Sequence, residues 1–149
     1  MYDFHFIFPG DPNTLTGGFI FDKRIVNGLS RFGWRISRHV LLDGFPFPKL
    51  DAMQHASKII NNIPDNGFVI IDGLALAPLL KLIEQHSERL VLMALIHHPL
   101  AEEMGISALQ KSLFEAHERR VLAKCARIVV TSSTTAAALV SDYGVDPSR

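Results

Sequence analysis

Two adjacent histidines, His97 and His98, have the side chains best suited to proton transfer or hydrogen bonding near neutral pH. They follow the apolar run 90–96 and precede Pro99, so the sequence places them where a buried strand enters its loop. Adjacent residues on an extended chain point to opposite faces, so we expect only one imidazole to face a ligand cleft. The alternative is that both are polar loop residues at the end of a sheet.

Paired glycines, Gly17 and Gly18, come between an alternating N-terminal segment and a helical pattern. Without Cβ atoms, the backbone at the start of a helix can approach a ligand closely. Its free N–H groups and the positive end of the helix dipole suit a phosphate or diphosphate. The spacing matches neither the dinucleotide fingerprint nor the Walker A loop. The alternative is a turn that only begins a helix.

Three further polar residues are candidates with structural alternatives. Asp72 ends an apolar strand and could hydrogen-bond a ligand, or could turn the chain together with Gly73. Ser132 is expected first as the N-cap of the last helix and second as a hydroxyl contact to a ligand. Glu118 lies among charged neighbours, which favours a solvated charge on the exposed side of a helix.

Several chemistries are not supported by the sequence. A metal site built from the two histidines with Asp72 or Glu102 has no recognised ligand spacing, so no metal is predicted. The Gly-x-Ser-x-Gly elbow of α/β-hydrolases is absent. A phospho-receiver domain would need a carboxylate pair after the first strand and a lysine after the fifth, and the sequence has neither at those places.

Strands and helices that alternate along the chain must position these residues. The pattern predicts strands at 2–8, 34–42, 68–72, 90–96 and 127–131, and helices at 19–32, 50–61, 75–85, 107–124 and 134–143. Ser107 and Gln110 form a capping-box pattern, and Gly33 and Gly144 are expected to end helices. Within the second strand, the apolar residues Ile36, Val40 and Leu42 are expected to alternate with polar ones.

The repeated strand–helix units predict an α/β fold with a Rossmann-like, open, doubly wound parallel sheet. Ligands bind outside the carboxyl ends of the strands in such sheets. The segments at Gly17-Gly18, Asp43-Gly44, Asp72-Gly73, His97-His98 and Thr131-Ser132 are therefore expected to converge at one rim.

Length and composition indicate one globular domain without a strong net charge. The 149 residues are ample for one domain and few for two. A hydrophobic content of 48% with 20% charged residues predicts a folded core. Fifteen acidic residues balance fifteen basic ones, so nucleic acid is not an expected partner.

The chain is expected in the cytoplasm. Its one cysteine, Cys125, has apolar neighbours and suggests a buried thiol in a reducing compartment. The N-terminus lacks the pattern of a secretory signal, and the apolar run 90–96 is too short to cross a bilayer. The arginines Arg31, Arg35 and Arg38 are expected on a solvated face, with a basic edge for peripheral membrane association as the alternative.

Four segments together resemble the N-terminal domain of a GT-B glycosyltransferase of the retaining family 4. They are Thr16-Gly17-Gly18, residues 94–97, residues 118–132 and residues 143–149. The last two are the more specific, and Tyr143-Gly144-Val145-Asp146-Pro147-Ser148-Arg149 is similar to the family's Y-G-V-x-P-x-(R/K) stretch. The resemblance spans the whole chain.

The resemblance implies transfer of a sugar from a nucleotide-sugar donor to an acceptor with retained anomeric configuration. By position, Gly17 and Gly18 would face the donor diphosphate. His97 would lie beside the reacting sugar, with His98 in its place if the register differs by one. Ser132 would contact the cleft, and Glu118 would brace the domain. Many such enzymes need no bound metal, so no cofactor is expected.

In that family a further strand, a linker and a donor-binding domain follow the last of these segments. The expectation is therefore that residues 1–149 form the acceptor-side half, which folds but does not catalyse transfer alone. The acceptor (a glycan, a lipid-linked or a small molecule) is left open. Two alternatives are a GT-B relative such as a nucleotide-sugar epimerase, and a non-catalytic ligand-binding α/β module.

Overall fold

The computed structural model describes residues 3–10 and 17–149, apart from the side chain of Phe19. Tyr2, expected at the start of the first strand, and Thr16, part of the first resembling segment, lie outside the described residues. No helix in the described part of the chain is both long and apolar enough to cross a membrane.

Within residues 3–10 and 17–149, five parallel strands form one sheet. They are β1 (Asp3–Pro9), β2 (Arg35–Leu41), β3 (Phe68–Asp72), β4 (Val91–Ile96) and β5 (Arg127–Val130). Their order across the sheet is β2-β1-β3-β4-β5, and every neighbouring pair is parallel. The predicted open, parallel, Rossmann-like α/β fold is confirmed. The strand order changes direction between β1 and β3, which opens a crevice at their carboxyl ends.

Six helices in the described part of the chain connect and follow the strands. They are α1 (Gly17–Arg31), α2 (Leu50–Asn61), α3 (Gly73–Leu76), α4 (Leu80–His86), α5 (Ala108–Lys124) and α6 (Ser133–Tyr143). A 3₁₀ turn, Leu100–Glu102, precedes α5. The single helix expected over 75–85 is wrong, because the chain forms two helices there. Pro78 lies between them and has no N–H to continue the helical hydrogen bonds.

Local signals set the ends of several helices. Ser107 and Gln110 form both hydrogen bonds of the capping box at the start of α5, as predicted. Gly33 and Gly144 adopt positive φ angles of 84° and 68° after α1 and α6, a conformation that glycine reaches without steric cost.

Both faces of the sheet bury apolar side chains. One face, which includes Ile7, Val69 and Ile71, packs against residues of α2 to α6. The other, which includes Phe6 and Leu95, packs against Val26 and Leu29 of α1. Helices on both faces make the sheet doubly wound, as expected. Cys125 is buried in the larger core, and this burial raises the pKa of its thiol to about 12.

The edge strand β2 departs from the expected pattern. Leu41 is 2% exposed, whereas Val40 and Leu42 are 42% and 44% exposed. Leu41 pairs with Pro9 and lies on the sheet face of Ile7, toward the larger core. Val40 lies on the opposite face at the sheet edge, and Leu42 follows the end of β2. At this end of the strand, the apolar residues expected on the buried face are therefore the exposed ones.

Candidate functional site

The ends of β3 and β4 and the start of α1 surround a cavity of about 350 Å³ at the carboxyl rim of the sheet. One part of its wall is formed by Gly18, Asp72 and His97, which follow or end β1, β3 and β4. Another part is formed by His98, Leu100 and Glu103 of the loop after β4. The cavity therefore lies at the crevice that the strand order predicts.

Gly18 lies directly against the His97 ring. A Cβ atom at Gly18 would be 3.4 Å from Nε2 of His97 and 3.5 Å from Cδ2. A methyl group at this position would therefore touch the imidazole at ordinary van der Waals distance. Gly17 differs, because a Cβ atom there would meet nothing within 4 Å. The N–H groups of this first turn have no partner inside the helix.

Asp22 of α1 is a site residue that the sequence reasoning missed. Its Oδ1 lies 3.2 Å from Nε2 of His97, across a separation of 75 residues. The residue is 4% exposed, and Oδ2 has no hydrogen-bond partner among the described residues. A signal was present: Asp22 lies four residues after Gly18 and four before Val26, in the stripe of α1 that faces the sheet.

Asp72 contacts the same ring nitrogen from β3. Its Oδ2 lies 3.5 Å from Nε2 of His97, while its Oδ1 accepts a hydrogen bond from the backbone N–H of Leu74 at 2.8 Å. The carboxylate therefore caps α3 and faces His97 at once. Oδ1 thus has the turn-forming role expected for Asp72, and the alternative, a hydrogen bond to a ligand, stays a prediction.

The two carboxylates favour a positive charge on His97. The hydrogen bond with Asp22 is the largest cause, followed by that with Asp72, and together they raise the pKa of His97 to about 9. Burial raises the pKa of Asp22, and the hydrogen bond with His97 opposes that shift. Because carboxylate oxygens accept hydrogen bonds, Nε2 carries a proton.

The backbone and ring of His97 are held by further contacts. The hydroxyl of Thr135 donates to the carbonyl oxygen of His97 at 3.1 Å, and that of Thr131 does so at 3.4 Å. The Phe21 ring lies edge-on to the imidazole, with the ring centroids 5.7 Å apart. The position of His97 is therefore fixed from α1, β3 and α6.

His98 occupies a different environment. Its side chain is half exposed, and Nε2 lies 2.6 Å from Oε1 of Glu103. The two histidines thus have separate carboxylate partners, although both line the cavity. Of the two, only His97 contacts α1 and the end of β3.

Ser132 does not line the cavity. Its hydroxyl accepts a hydrogen bond from the backbone N–H of Thr135 at 3.1 Å and caps α6. The N-cap role expected first for Ser132 is confirmed, and its hydroxyl contact to a ligand stays a prediction. The neighbouring threonines reach His97 instead, through its backbone carbonyl.

Glu118 is buried rather than solvated. It is 2% exposed, and its carboxylate accepts hydrogen bonds from the backbone N–H groups of Leu100 at 2.7 Å and Ala101 at 3.4 Å. The solvated-charge interpretation is wrong, because Glu118 lies on the same stripe of α5 as Phe114 and Val121. Burial raises the pKa of Glu118 to about 7, against the opposing effect of the two backbone hydrogen bonds.

A compact group of possible ligand atoms also exists at the rim. Atoms of Asp22, Asp72 and His97 lie within 4.8 Å of one another, the one such group of three within residues 3–10 and 17–149. Their mutual hydrogen bonds account for the arrangement with a proton on Nε2. The unpaired Oδ2 of Asp22 is the one oxygen that this arrangement leaves without a partner.

Comparisons of the chain with models of known protein families, with curated proteins and with solved structures give no match. The residues and the geometry of the rim therefore carry the functional argument.

Proposed function

We propose that this chain supplies the N-terminal, acceptor-side domain of a retaining glycosyltransferase of the GT-B, family 4 type. The observation that carries the proposal is the contact between Gly18 and His97. It brings the open start of a helix and an imidazole together at one cavity, although 79 residues separate them in the sequence. A diphosphate-linked sugar needs both an anion site and hydrogen-bonding groups in that arrangement.

The charges around His97 imply different roles for the start of α1 and for the imidazole. Asp22 and Asp72 surround Nε2 of His97, so the positive charge of the imidazole is already compensated locally. Anion binding would therefore depend on the backbone N–H groups at Gly17 and Gly18 and on the dipole of α1. His97 would hydrogen-bond the hydroxyls of the transferred sugar and, as a charged N–H donor, stabilise negative charge that develops beside it.

Most of the nucleotide would be bound by a second, donor-binding domain. The 149 residues by themselves are then expected to bind a nucleotide sugar weakly and not to transfer the sugar. The proposed site of action is the cytoplasm, at a membrane surface if the acceptor is lipid-linked. The polar side chains that converge on the cavity support an enzyme over a non-catalytic binding module.

The test is binding of nucleotide sugars, followed residue by residue. UDP-glucose and GDP-mannose would be titrated into ¹⁵N-labelled protein, and we expect the largest backbone shifts at Gly17, Gly18 and His97. The variant His97→Gln should weaken the binding at least about tenfold, a loss of one charged hydrogen bond. The matched control His98→Gln should change it less than about threefold, because the side chain of His98 is paired with Glu103.

Two results would count against the proposal. The first is an absence of shifts with either nucleotide sugar at millimolar concentration. The second is a set of shifts at the opposite end of the sheet, near Asn66 and Gly67. Sugar transfer by the 149 residues alone would contradict the expected dependence on a second domain.

A further inference from the structure

The carboxylate of Asp22 lies in α1 and is buried, which is energetically unfavourable for a charged group. The desolvation of a carboxylate costs several kcal/mol unless it is paired. Asp22 recovers part of this cost through the contact of Oδ1 with Nε2 of His97, whereas the nearby carboxylate of Asp72 adds to it. Its Oδ2 has no hydrogen-bond partner among the described residues. An apolar side chain at this place would pack in the α1 stripe without that cost, so stability alone is a poor reason for an aspartate.

The contact of Asp22 determines which edge of the imidazole faces the interior. A rotation of the ring by 180° would exchange Nε2 with Cε1, and Cε1 cannot donate an ordinary hydrogen bond to the two carboxylates. Phe21 restrains the ring from one side, and Gly18 leaves room for it on α1. Nδ1, the remaining ring nitrogen, has no hydrogen-bond partner among the described residues.

The charged groups that face His97 are few and come from different elements. Asp22 belongs to α1, and Asp72 ends β3. The next histidine, His98, is paired with Glu103 in the loop after β4. Asp72 has a second task as the cap of α3, so a change there would alter the chain turn as well. Asp22 is therefore the residue through which the state of His97 can be tested separately.

We propose that Asp22 is a positioning residue for His97: its carboxylate, with that of Asp72, holds the imidazole as a cation with Nε2–H turned inward and Nδ1–H left for a ligand. This arrangement provides a fixed N–H donor that remains charged throughout the neutral pH range. Its use on a sugar hydroxyl rests on the proposed function, but the state of the imidazole does not.

The experiment is a titration of the histidine side chains by ¹⁵N NMR from pH 5 to 10, on the full chain after treatment with EDTA. In the unsubstituted protein, we expect His97 to keep both ring protons well above pH 7.5. In Asp22→Asn, which keeps the shape and removes the charge, the midpoint should fall by about one pH unit or more. Asp43→Asn, at an exposed residue after β2, is the matched control and should leave the midpoint unchanged.

An ordinary midpoint near 6.5 in the unsubstituted protein would overturn the proposal, even if Asp22→Asn did not fold. An unchanged midpoint in a folded Asp22→Asn protein would overturn it as well. The nucleotide-sugar titration fails or succeeds independently of these results. If the midpoint of His97 falls in Asp22→Asn but the unsubstituted protein binds no nucleotide sugar, the positioning role is supported and the glycosyltransferase assignment is rejected.

Discussion

Two buried carboxylates, Asp22 and Glu118, hold the same segment of the chain from opposite faces of the sheet. Asp22 reaches the side chain of His97 from α1, and Glu118 reaches the backbone of Leu100 and Ala101 from α5. Both are nearly inaccessible to solvent. Their main partners differ in kind, since Asp22 contacts a titratable ring and Glu118 accepts hydrogen bonds from two peptide N–H groups.

Because of this difference, Glu118 mainly supports the loop, whereas Asp22 mainly controls the protonation of His97. Peptide N–H groups cannot change their charge, so Glu118 acts on the loop by fixing its path. Its other neighbour is the Tyr143 hydroxyl, whose pKa is raised by burial and by Glu118, so this group stays protonated at neutral pH. An imidazole can gain or lose a proton, and a neighbouring carboxylate alters that equilibrium directly. We therefore expect substitutions of Glu118 to act mainly on stability, and substitutions of Asp22 to act mainly on the charge of His97.

The largest effect is expected from Glu118→Ala. The substitution would leave the N–H groups of Leu100 and Ala101 buried without an acceptor and would open a small cavity, so we expect a loss of about 2–5 kcal/mol in the free energy of unfolding. Urea denaturation measures this quantity. Glu115→Ala is the matched control on the same helix, and removal of its exposed pair with Arg119 should cost within about 0.5 kcal/mol. If Glu118→Ala lost no more unfolding free energy than Glu115→Ala, the supporting role of Glu118 would be contradicted.

The next effect is the dependence of the unfolding free energy on pH. One pH window comes from the titration of Glu118, and another comes from the titration of His97, which Asp22 contacts. The pKa of Glu118 is raised to about 7 from 4.5, so the folded state binds more protons between these values. Its contribution to stability is complete below pH 4.5 and is lost as the pH rises through about 7. The pKa of His97 is raised to about 9 from 6.5, and its contribution is complete below pH 6.5 and lost as the pH rises through about 9.

Variants should remove these two windows separately. In Glu118→Gln, the decline between pH 4.5 and 7 should become smaller by about 2–3 kcal/mol, and the decline above pH 7 should remain. In Asp22→Asn, the decline between pH 6.5 and 9 should become smaller by about 1–2 kcal/mol, since Asp72 still contacts the ring. Unfolding free energies from urea titrations at half-unit pH intervals test this. A single window altered by both variants would mean that the two carboxylates act as one unit.

The sequence contained most of the fold because its signals are local. Apolar runs marked the strands, Ser107 and Gln110 marked the start of α5, and Gly33 and Gly144 marked two helix ends. Its errors arose where neighbours along the chain were a poor guide to neighbours in space. Pro78 interrupts a helix whose apolar pattern continues across it, and β2 lies at a sheet edge where the apolar pattern does not decide which face is buried.

The two buried carboxylates show the same limit at the site. Glu118 has arginines beside it in the sequence, and Asp22 has Lys23 and Arg24, so both resemble solvated charges. Their burial follows from the stripes of α1 and α5 that face the sheet, which a sequence pattern suggests only if charged residues are admitted to those stripes. The pairing of Asp22 with His97 depends on strand order, because β1 and β4 are separated by β3.

The smallest expected effect concerns the space that Gly18 leaves for this pairing. Alanine in place of a helical glycine gains up to about 1 kcal/mol of stability in an exposed helix interior, and less in the first turn. Gly17→Ala should realise part of that gain, because a Cβ atom there meets no neighbour. Gly18→Ala should gain a similar amount, because its Cβ atom would meet the His97 ring at ordinary van der Waals distance. The new methyl group would lie against the imidazole in Gly18→Ala only, so we expect the Nε2 resonance of His97 to shift in Gly18→Ala and to stay unchanged in Gly17→Ala. If both variants leave that resonance in place, the first turn of α1 lies farther from the imidazole than the Gly18 distances indicate. Asp22 would then hold His97 without a close approach of the helix start to the ring.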